Sequence, residues 1–227
     1  MDIEYESIAE RIASLFPSKN LDGRQCITAM KRYEEETGVH TNWRQMEWFG
    51  WYSEFLLNTN DDGFSRSKDR FLTYTGSYMC FDYVDDESGI IFDLKSSVSM
   101  NGTLDHMLIT NDLTAIKNAI KIRGRLLFVV INAIPSMDMD GGFRIWHDTL
   151  KGKKSKYAES GESTGRRHRV RKKSVELTNI DIFDISDLSI VESMPVMRQG
   201  KNSNGNKRPE KMMIDAGILQ PQYSYAF

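Results

Sequence analysis

Two carboxylates and a lysine stand out in the stretch FDYVDDESGIIFDLKSS, residues 81–97. If this stretch is an antiparallel hairpin with a connection at residues 86–89, its register places Asp82 directly opposite Asp93. Their Cβ atoms would then be about 5 Å apart, and Lys95 would point to the same face. Two like charges opposed on a sheet are destabilising, so a hard divalent cation held between the carboxylates is the expected reason for keeping them.

The alternative interpretation is that these charges form the solvated face of an ordinary surface hairpin. The pattern acidic-x-Lys occurs once in the chain, at Asp93-Leu94-Lys95, but chance alone would supply a copy or two. Its weight comes from Asp82 on the preceding strand and from an acid-bearing helix just before the hairpin. Burial of the aspartates is predicted because apolar residues flank them, namely Phe81, Ile90, Ile91, Phe92 and Leu94.

The helix before the hairpin is predicted from the stretch TNWRQMEWFGWYSEFLLN, with Thr41 or Asn42 as its cap and its end near Leu57. Apolar side chains cover most of its circumference, which predicts a buried helix. Glu47 and Glu54 are conspicuous in such a helix, and they lie two turns apart along one face.

Hydrophobic periodicity predicts the remaining elements. Residues 58–70 read as a polar connection and residues 135–165 as less regular chain. The stretch RLLFVVINAI is continuously apolar and rich in β-branched residues, as in a strand buried on both faces. The order of elements predicts an α/β fold of the α+β kind, with a mixed sheet between helices. Helices are predicted at 5–16, at 23–37 and from an Asn111 cap to Gly124, and strands at 71–75, 78–84, 90–98, 125–134 and 175–183.

The composition is that of an ordinary globular protein. The 227 residues are 40% hydrophobic and 27% charged, and their number predicts a single domain. No apolar run is long enough for a transmembrane helix, and the first residues are acidic where a signal peptide would be basic. Cys26 and Cys80 lack metal-ligand spacing, so free thiols in a cytoplasmic protein are expected and a structural zinc site is disfavoured.

The net charge of −2 conceals a basic segment at residues 151–173, which contains ten basic residues and only two acidic ones. Such a concentration on an otherwise acidic chain is typical of a polyanion binder, and a flexible solvated loop is the alternative. The later stretch GKNSNGNKR adds amides that can pair with bases, although a disordered polar loop would look the same. The candidate DNA-binding residues are Lys151, Lys153, Lys154, Lys156, Tyr157, Arg166, Arg167, Arg169, Arg171, Lys172, Lys173, Asn202, Asn204, Lys207 and Arg208.

Asp82, ten intervening residues and then Asp93-Leu94-Lys95 resemble the motif of the PD-(D/E)XK nuclease superfamily. The predicted elements from residue 43 to 134 are similar to the core of that family, a helix followed by a mixed sheet with one crossing helix. The usual proline before the first aspartate is Phe81 here. Across about residues 43–213, six stretches together resemble a group of type II restriction endonucleases: WRQMEWFGWYSEFLL, FDYV with IIFDLKSS, ITND, WHDTLKGKKSKY, RRHRVRKK and GKNSNGNKRPEK.

This resemblance implies a Mg²⁺ site. Asp82 and Asp93 would be ligands, and the carbonyl of Leu94 would be a possible third. Lys95 would orient or help to deprotonate the attacking water and would stabilise the transition state. The preceding helix would supply one more carboxylate, and we favour Glu54, with Glu47 as the alternative. A capping role, or pairing with Arg44 or Arg66, is the structural alternative for both glutamates.

The resemblance also implies a restriction endonuclease that cuts double-stranded DNA at a short palindromic site. Such enzymes act as homodimers, and a DNA methyltransferase would accompany this one. Residues 1–40 would form an N-terminal helical part, 43–134 the catalytic core and 135–227 the DNA-recognition elements, with residues 5–37 as a dimer surface. Two rival functions are a structure-specific repair or recombination nuclease with the same core, and a non-catalytic DNA-binding protein.

Overall fold

The computed structural model describes residues 2–60, 63–104, 106–152, 170–198, 200, 205 and 208–227. In chain order, helices α1 to α6 are Asp2–Ser14, Gly23–Thr37, Trp48–Thr59, Leu113–Arg123, Gly142–Lys151 and Leu188–Ser193. Strands β1 to β12 are Asn20–Asp22, Phe64–Arg66, Phe71–Leu72, Tyr78–Met79, Tyr83–Asp85, Ile91–Val98, Leu108–Asp112, Leu126–Met137, Lys172–Ile185, Val196–Met197, Lys211–Ile214 and Tyr223–Ala226. None of the helices formed by these residues has the length and apolar character that crossing a membrane requires.

The largest sheet contains seven strands and confirms the predicted mixed α/β architecture. Its order is β1-β9-β8-β6-β5-β2, and β12 also pairs with β9. The β6–β8 pair is parallel, whereas β5–β6 and β8–β9 are antiparallel. A parallel pair needs a crossover, and here the chain passes through β7 and α4 before it enters β8. Two smaller sheets, β10-β11-β7 and β3-β4, lie apart from this one.

Strand β8 is buried on both faces, as its continuous apolar sequence predicted. Leu127, Val129 and Ile131 belong to the core that contains α1, α2 and α3. The alternating residues Phe128 and Val130 belong to a second core, around α4. The sheet is therefore a layer between two apolar cores, which explains why β8 lacks polar alternation.

One polar side chain interrupts the apolar part of β8. Asn132 is fully buried, and its Nδ2 donates to Oδ2 of Asp181 on β9 at 2.7 Å. The other carboxylate oxygen of Asp181 accepts hydrogen bonds from Asn179 and Ser224, each at 2.6 Å. The buried carboxylate is thus satisfied by amide and hydroxyl donors from three strands.

Several predicted boundaries are correct because local signals determine them. Helix α2 spans residues 23–37 as predicted, and the side chain of Asp22 accepts from two backbone N–H groups at its start. Helix α4 ends at Gly124, which has a φ of 76°, as expected for a glycine C-cap. The start of α4 was predicted one residue early, since Asp112 rather than Asn111 is the N-cap and accepts from Ala115 N–H at 3.0 Å.

The prediction that α3 begins at Thr41 or Asn42 is wrong. The helix begins at Trp48, and Asn42 has a left-handed φ of 59°, which is incompatible with a helical turn. The carboxylate of Glu34 holds this loop in place, because it accepts from Thr41 N–H at 2.9 Å and pairs with Arg44 at 2.6 Å. A carboxylate from α2 therefore organises residues that the apolar pattern alone assigns to α3.

The predicted strands 71–75 and 78–84 are shorter in the structure than expected. Gly76 N–H donates to the carbonyl of Thr73, so a turn ends β3 after Leu72 and the chain returns as β4. Strand β2 lies inside the predicted polar connection 58–70, and α5 lies inside the chain at 135–165 that was expected to be less regular. Strands β1, β7, β10, β11 and β12 were not predicted, because each has at most five residues and most of them pair with a strand distant in sequence.

Candidate active site

The β5–β6 hairpin has the register that the sequence predicted. Tyr83 pairs with Phe92 and Val84 with Ile91, and continuation of this register places Asp82 opposite Asp93. Asp85 N–H donates to the carbonyl of Ile90 at 2.9 Å, which closes the hairpin around residues 86–89. The two carboxylates therefore meet at the end of the pairing where the strands separate.

The two carboxyl groups have restricted contact with water, since Asp93 is buried and Asp82 is half-buried. Asp93 is only 1% exposed, and Asp82 accepts a 3.0 Å hydrogen bond from Leu94 N–H through Oδ2. Burial and, next, the adjacent charge of Asp93 together raise the pKa of Asp82 from 3.8 to about 7. The pair consequently retains a proton near neutral pH unless a cation compensates its charge.

Lys95 lies against the same two carboxylates. Its ammonium group forms an ion pair with Oδ2 of Asp93. Burial alone would lower the pKa of Lys95, but the charges of Asp93 and then Asp82 outweigh it and raise the pKa above its ordinary value. Lys95 is therefore a cation in this arrangement, which suits it to donate hydrogen bonds and to stabilise negative charge rather than to accept a proton.

Asn111 joins this cluster from the end of β7. Its Nδ2 donates to Oδ1 of Asp93 at 2.8 Å, and its Oδ1 accepts from Lys95 Nζ at 3.3 Å. The sequence assigned Asn111 to a helix cap, but Asp112 performs that function and the Asn111 amide faces the site instead. Asn111 and Asp112 are adjacent, and either could cap α4. Because a helix needs only one N-cap, this pair indicates in the sequence that one of the two side chains has another partner.

The two glutamates before the hairpin occupy different environments. The charge of Glu54 acts on both Asp82 and Lys95, and its side chain lines the same cleft as Lys95. It also forms the expected alternative contact, an ion pair with Arg66 at 3.3 Å. Glu47 is the residue before the first turn of α3 and pairs with Lys172 of β9. The geometry therefore favours Glu54 over Glu47 as the third acid near the aspartates.

A cleft between α3, β6 and β7 gives access to the cluster. Its volume is about 300 Å³, and both acidic and apolar side chains form its walls. Glu54 and Lys95 supply charge, while Trp51 and Ile109 supply apolar surface on the two sides. The cleft is lined by Glu47, Gly50, Trp51, Ser53, Glu54, Leu94, Lys95, Ser96, Leu108 and Ile109.

The donor set fits a hard cation, although not as a cage of three acids. Within the described residues, no three or more His, Cys, Asp or Glu side chains lie close enough together to hold a metal ion. Two carboxylates do meet, however, and each retains lone pairs beyond those used in the contacts with Leu94, Asn111 and Lys95. Carboxylate and carbonyl oxygens are the ligands that Mg²⁺ prefers, and a divalent charge would offset the repulsion between Asp82 and Asp93.

Five of the candidate DNA-binding residues lie in the described chain. Lys173 and Arg208 are exposed. Lys151 pairs with Asp148 at 2.6 Å, and Lys172 pairs with Glu47. Arg171 is 5% exposed and directs its guanidinium at His147 and Asp148. The other candidates lie outside the described residues: Lys153, Lys154, Lys156, Tyr157, Arg166, Arg167, Arg169, Asn202, Asn204 and Lys207.

His147 on α5 and Arg171, the residue before β9, belong to one buried hydrogen-bond network. His147 Nε2 donates to the carbonyl of Trp43 at 3.0 Å, and its Nδ1 accepts from Arg171 at 3.3 Å. Burial, together with the nearby charge of Lys151, lowers the pKa of His147 to about 4. The ring is neutral at physiological pH, and its contacts are those of a structural residue.

The two cysteines contribute no disulfide. Cys26 is buried and Cys80 is exposed, and both are free thiols.

The chain matches no family model, and comparisons with the curated proteins and with the solved structures return no match. The assignment of a function to the cleft therefore depends on the residues that line it.

Proposed function

We propose that this protein is a Mg²⁺-dependent, sequence-specific endonuclease of the type II restriction kind that hydrolyses double-stranded DNA. The observation that carries the proposal is the opposition of Asp82 and Asp93, with the Lys95 ammonium paired to Asp93 at the wall of a cleft. Such an arrangement costs stability, since the half-buried Asp82 lies beside the buried Asp93, and a catalytic cation is a reason to retain it.

Mg²⁺ bound by Asp82, Asp93 and the Leu94 carbonyl would lower the pKa of a bound water and neutralise charge on the phosphate. The protein's own residues would perform the remaining tasks. Lys95 would donate a hydrogen bond to a phosphate oxygen and stabilise the negative charge that develops there. Glu54 would add negative charge at the mouth of the cation site. The apolar walls formed by Trp51 and Ile109 would limit access of bulk water to the cleft.

The duplex itself would be held by basic residues beyond the cleft. Lys173 and Arg208 have exposed side chains, and the basic residues at 153–169 would supply further contacts with phosphates. A homodimer would match a palindromic site, and a companion DNA methyltransferase would protect the cell's own copies of it. We place this activity in the cytoplasm, where free thiols such as Cys26 and Cys80 persist.

The proposal is tested by incubating the purified protein with plasmid and phage DNA in Mg²⁺ or in EDTA and mapping the ends. Discrete, Mg²⁺-dependent fragments are expected. Cleavage of branched DNA alone would favour a repair nuclease, and no metal-dependent cutting would refute the proposal.

The Lys95→Ala variant provides the specific test. It should lose at least about 100-fold in cleavage rate, because one positioned charge at a transition state contributes that much. Its affinity for DNA, measured in Ca²⁺, should be unchanged. Lys117→Ala is the matched control, since Lys117 pairs with Glu192 on the surface. Equal cleavage by both variants would show that Lys95 takes no part in the reaction and would refute the site proposed here. In the same assay, Glu54→Gln should slow cleavage more than Glu47→Gln.

A further inference from the structure

We infer that Asn111 is a positioning residue for the proposed nuclease reaction, holding Asp93 and Lys95 in a fixed mutual orientation. The inference rests on the proposed function and adds a residue that the sequence motif does not contain. Asn111 is the one described side chain that hydrogen-bonds both of these residues, at 2.8 Å to Asp93 and 3.3 Å to Lys95.

The chemistry of the two contacts requires an amide. A carboxylate can only accept hydrogen bonds and an ammonium can only donate them, so Asp93 needs a donor and Lys95 needs an acceptor. The amide of Asn111 supplies one of each, and this fixes which of its ends faces which partner. An aspartate at this position would face Lys95 equally well but would oppose the Asp93 carboxylate.

The backbone that carries Asn111 is held independently of the site. Asp112 caps α4, and its carboxylate also accepts from Tyr74 N–H at 3.3 Å. Leu113 N–H donates to the carbonyl of Glu210 at 3.0 Å, and Lys211 of β11 pairs with Asp112. Contacts from three separate segments thus fix the backbone next to Asn111, and with it the position of the Asn111 Cα and Cβ atoms.

The consequence is a restricted choice of side-chain conformations for Asp93 and Lys95. Lys95 has four rotatable bonds, and an ion pair to one carboxylate leaves its ammonium group several orientations. Asp93 and Asn111 together direct two of its three N–H groups, which leaves the third to donate into the cleft. Asn111 likewise occupies one lone pair on Asp93 Oδ1 and sets the plane of that carboxylate.

The test compares Asn111→Ala and Asn111→Asp with the parent in single-turnover cleavage of plasmid DNA under Mg²⁺. Asn118→Ala is the matched control, because Asn118 makes its hydrogen bond to the Leu72 carbonyl, away from the cleft. Asn111→Ala should cleave 10–100-fold more slowly, as is typical when a residue that orients a metal ligand is removed. Asn111→Asp should be slower still, since it adds a charge opposite Asp93, and Asn118→Ala should cleave like the parent.

Four further measurements separate positioning from a structural role. DNA affinity and the urea midpoint of Asn111→Ala should match those of Asn118→Ala, whereas Ca²⁺ binding followed by calorimetry should weaken about 10-fold. In a Lys95→Ala background, Asn111→Ala should cause little additional loss, because residues that act as a unit are not additive.

Parent-like cleavage by Asn111→Ala, or a loss matched by a lower urea midpoint, would overturn the inference and leave the proposed function intact. A parent protein that neither binds Ca²⁺ nor cuts DNA would overturn both.

Discussion

Replacing Asp82 by asparagine should stabilise the metal-free protein at alkaline pH. The variant keeps the size of the side chain and an oxygen that can accept from Leu94 N–H, but it carries no charge beside Asp93. In the parent, two carboxyl groups lie side by side, and the raised pKa of Asp82 means that Asp82 resists ionisation. The gain should therefore appear only where that group would otherwise be forced to ionise.

The magnitude follows from the pKa of Asp82, which burial and Asp93 raise from 3.8 to about 7. A folded pKa above the unfolded one means that the folded chain binds more protons between these values, so stability falls as pH rises from about 4 to 7. The full difference corresponds to about 4 kcal/mol, and sharing of the proton with Asp93 reduces the expected gain to about 2–4 kcal/mol at pH 8. The difference in the free energy of unfolding between Asp82→Asn and the parent should therefore increase by about 2 kcal/mol from pH 5 to pH 8.

Urea unfolding in EDTA, followed by tryptophan fluorescence at pH 5 and pH 8, measures this gap. Asp85→Asn is the control, because this aspartate of the same hairpin has the opposite environment. Although burial would raise the pKa of Asp85, hydrogen bonds from Ser88 and an ion pair with Arg11 at 2.5 Å lower it. Asp85→Asn should therefore destabilise the protein at pH 8. The reasoning is refuted if Asp82→Asn is less stable than the parent at pH 8, or if the gap does not change with pH.

Two other perturbations test the framework around the site. Because the pKa of His147 is lowered to about 4, its contribution to stability is complete above pH 6.5 and is lost as pH falls towards 4. The loss should reach at most about 3 kcal/mol, and His147→Gln should flatten this acid limb in urea titrations. Gly102→Ala should destabilise the protein by more than about 2 kcal/mol, since its Cβ would lie 2.4 Å from Thr178 Cγ2 at a φ of 69°. Gly124→Ala has a similar φ but no atom within 4 Å of the added Cβ, so it should destabilise the protein by only about 1 kcal/mol. Thermal unfolding of the two variants measures both losses.

The parts of the fold that the sequence predicted are those with strong local signals. The β5–β6 register follows from a short polar connection between two apolar runs, and β8 follows from six apolar residues in succession, Leu126 to Ile131. The β10-β11-β7 sheet has no comparable signal. Its strands contain two to five residues, and β11 pairs with β7 across about one hundred positions of the chain, as Lys211 does with Asp112.

The candidate site was predictable to the same extent. Asp82, Asp93 and Lys95 lie within fourteen residues of one another, so the hairpin alone brings them together. Glu54 and Glu47 could not be ranked, because the distinction depends on where α3 begins and on Lys172, which lies far along the chain. Asn111 could not be assigned, because a cap and a long-range hydrogen bond call for the same type of side chain.

Asn132 has a consequence for the assembly of the sheet. A strand that is apolar on both faces can slide by two residues along its neighbours and still bury equivalent side chains, so hydrophobicity sets its register only weakly. In β8, such a slip would separate the Asn132 amide from Asp181, so that the buried Nδ2 of Asn132 and Oδ2 of Asp181 would each lose this hydrogen bond. An unpaired buried polar group costs about 1–3 kcal/mol, and more when it is charged. A single asparagine therefore selects one alignment of β8, and with it the position of β6 and of the carboxylate that β6 carries.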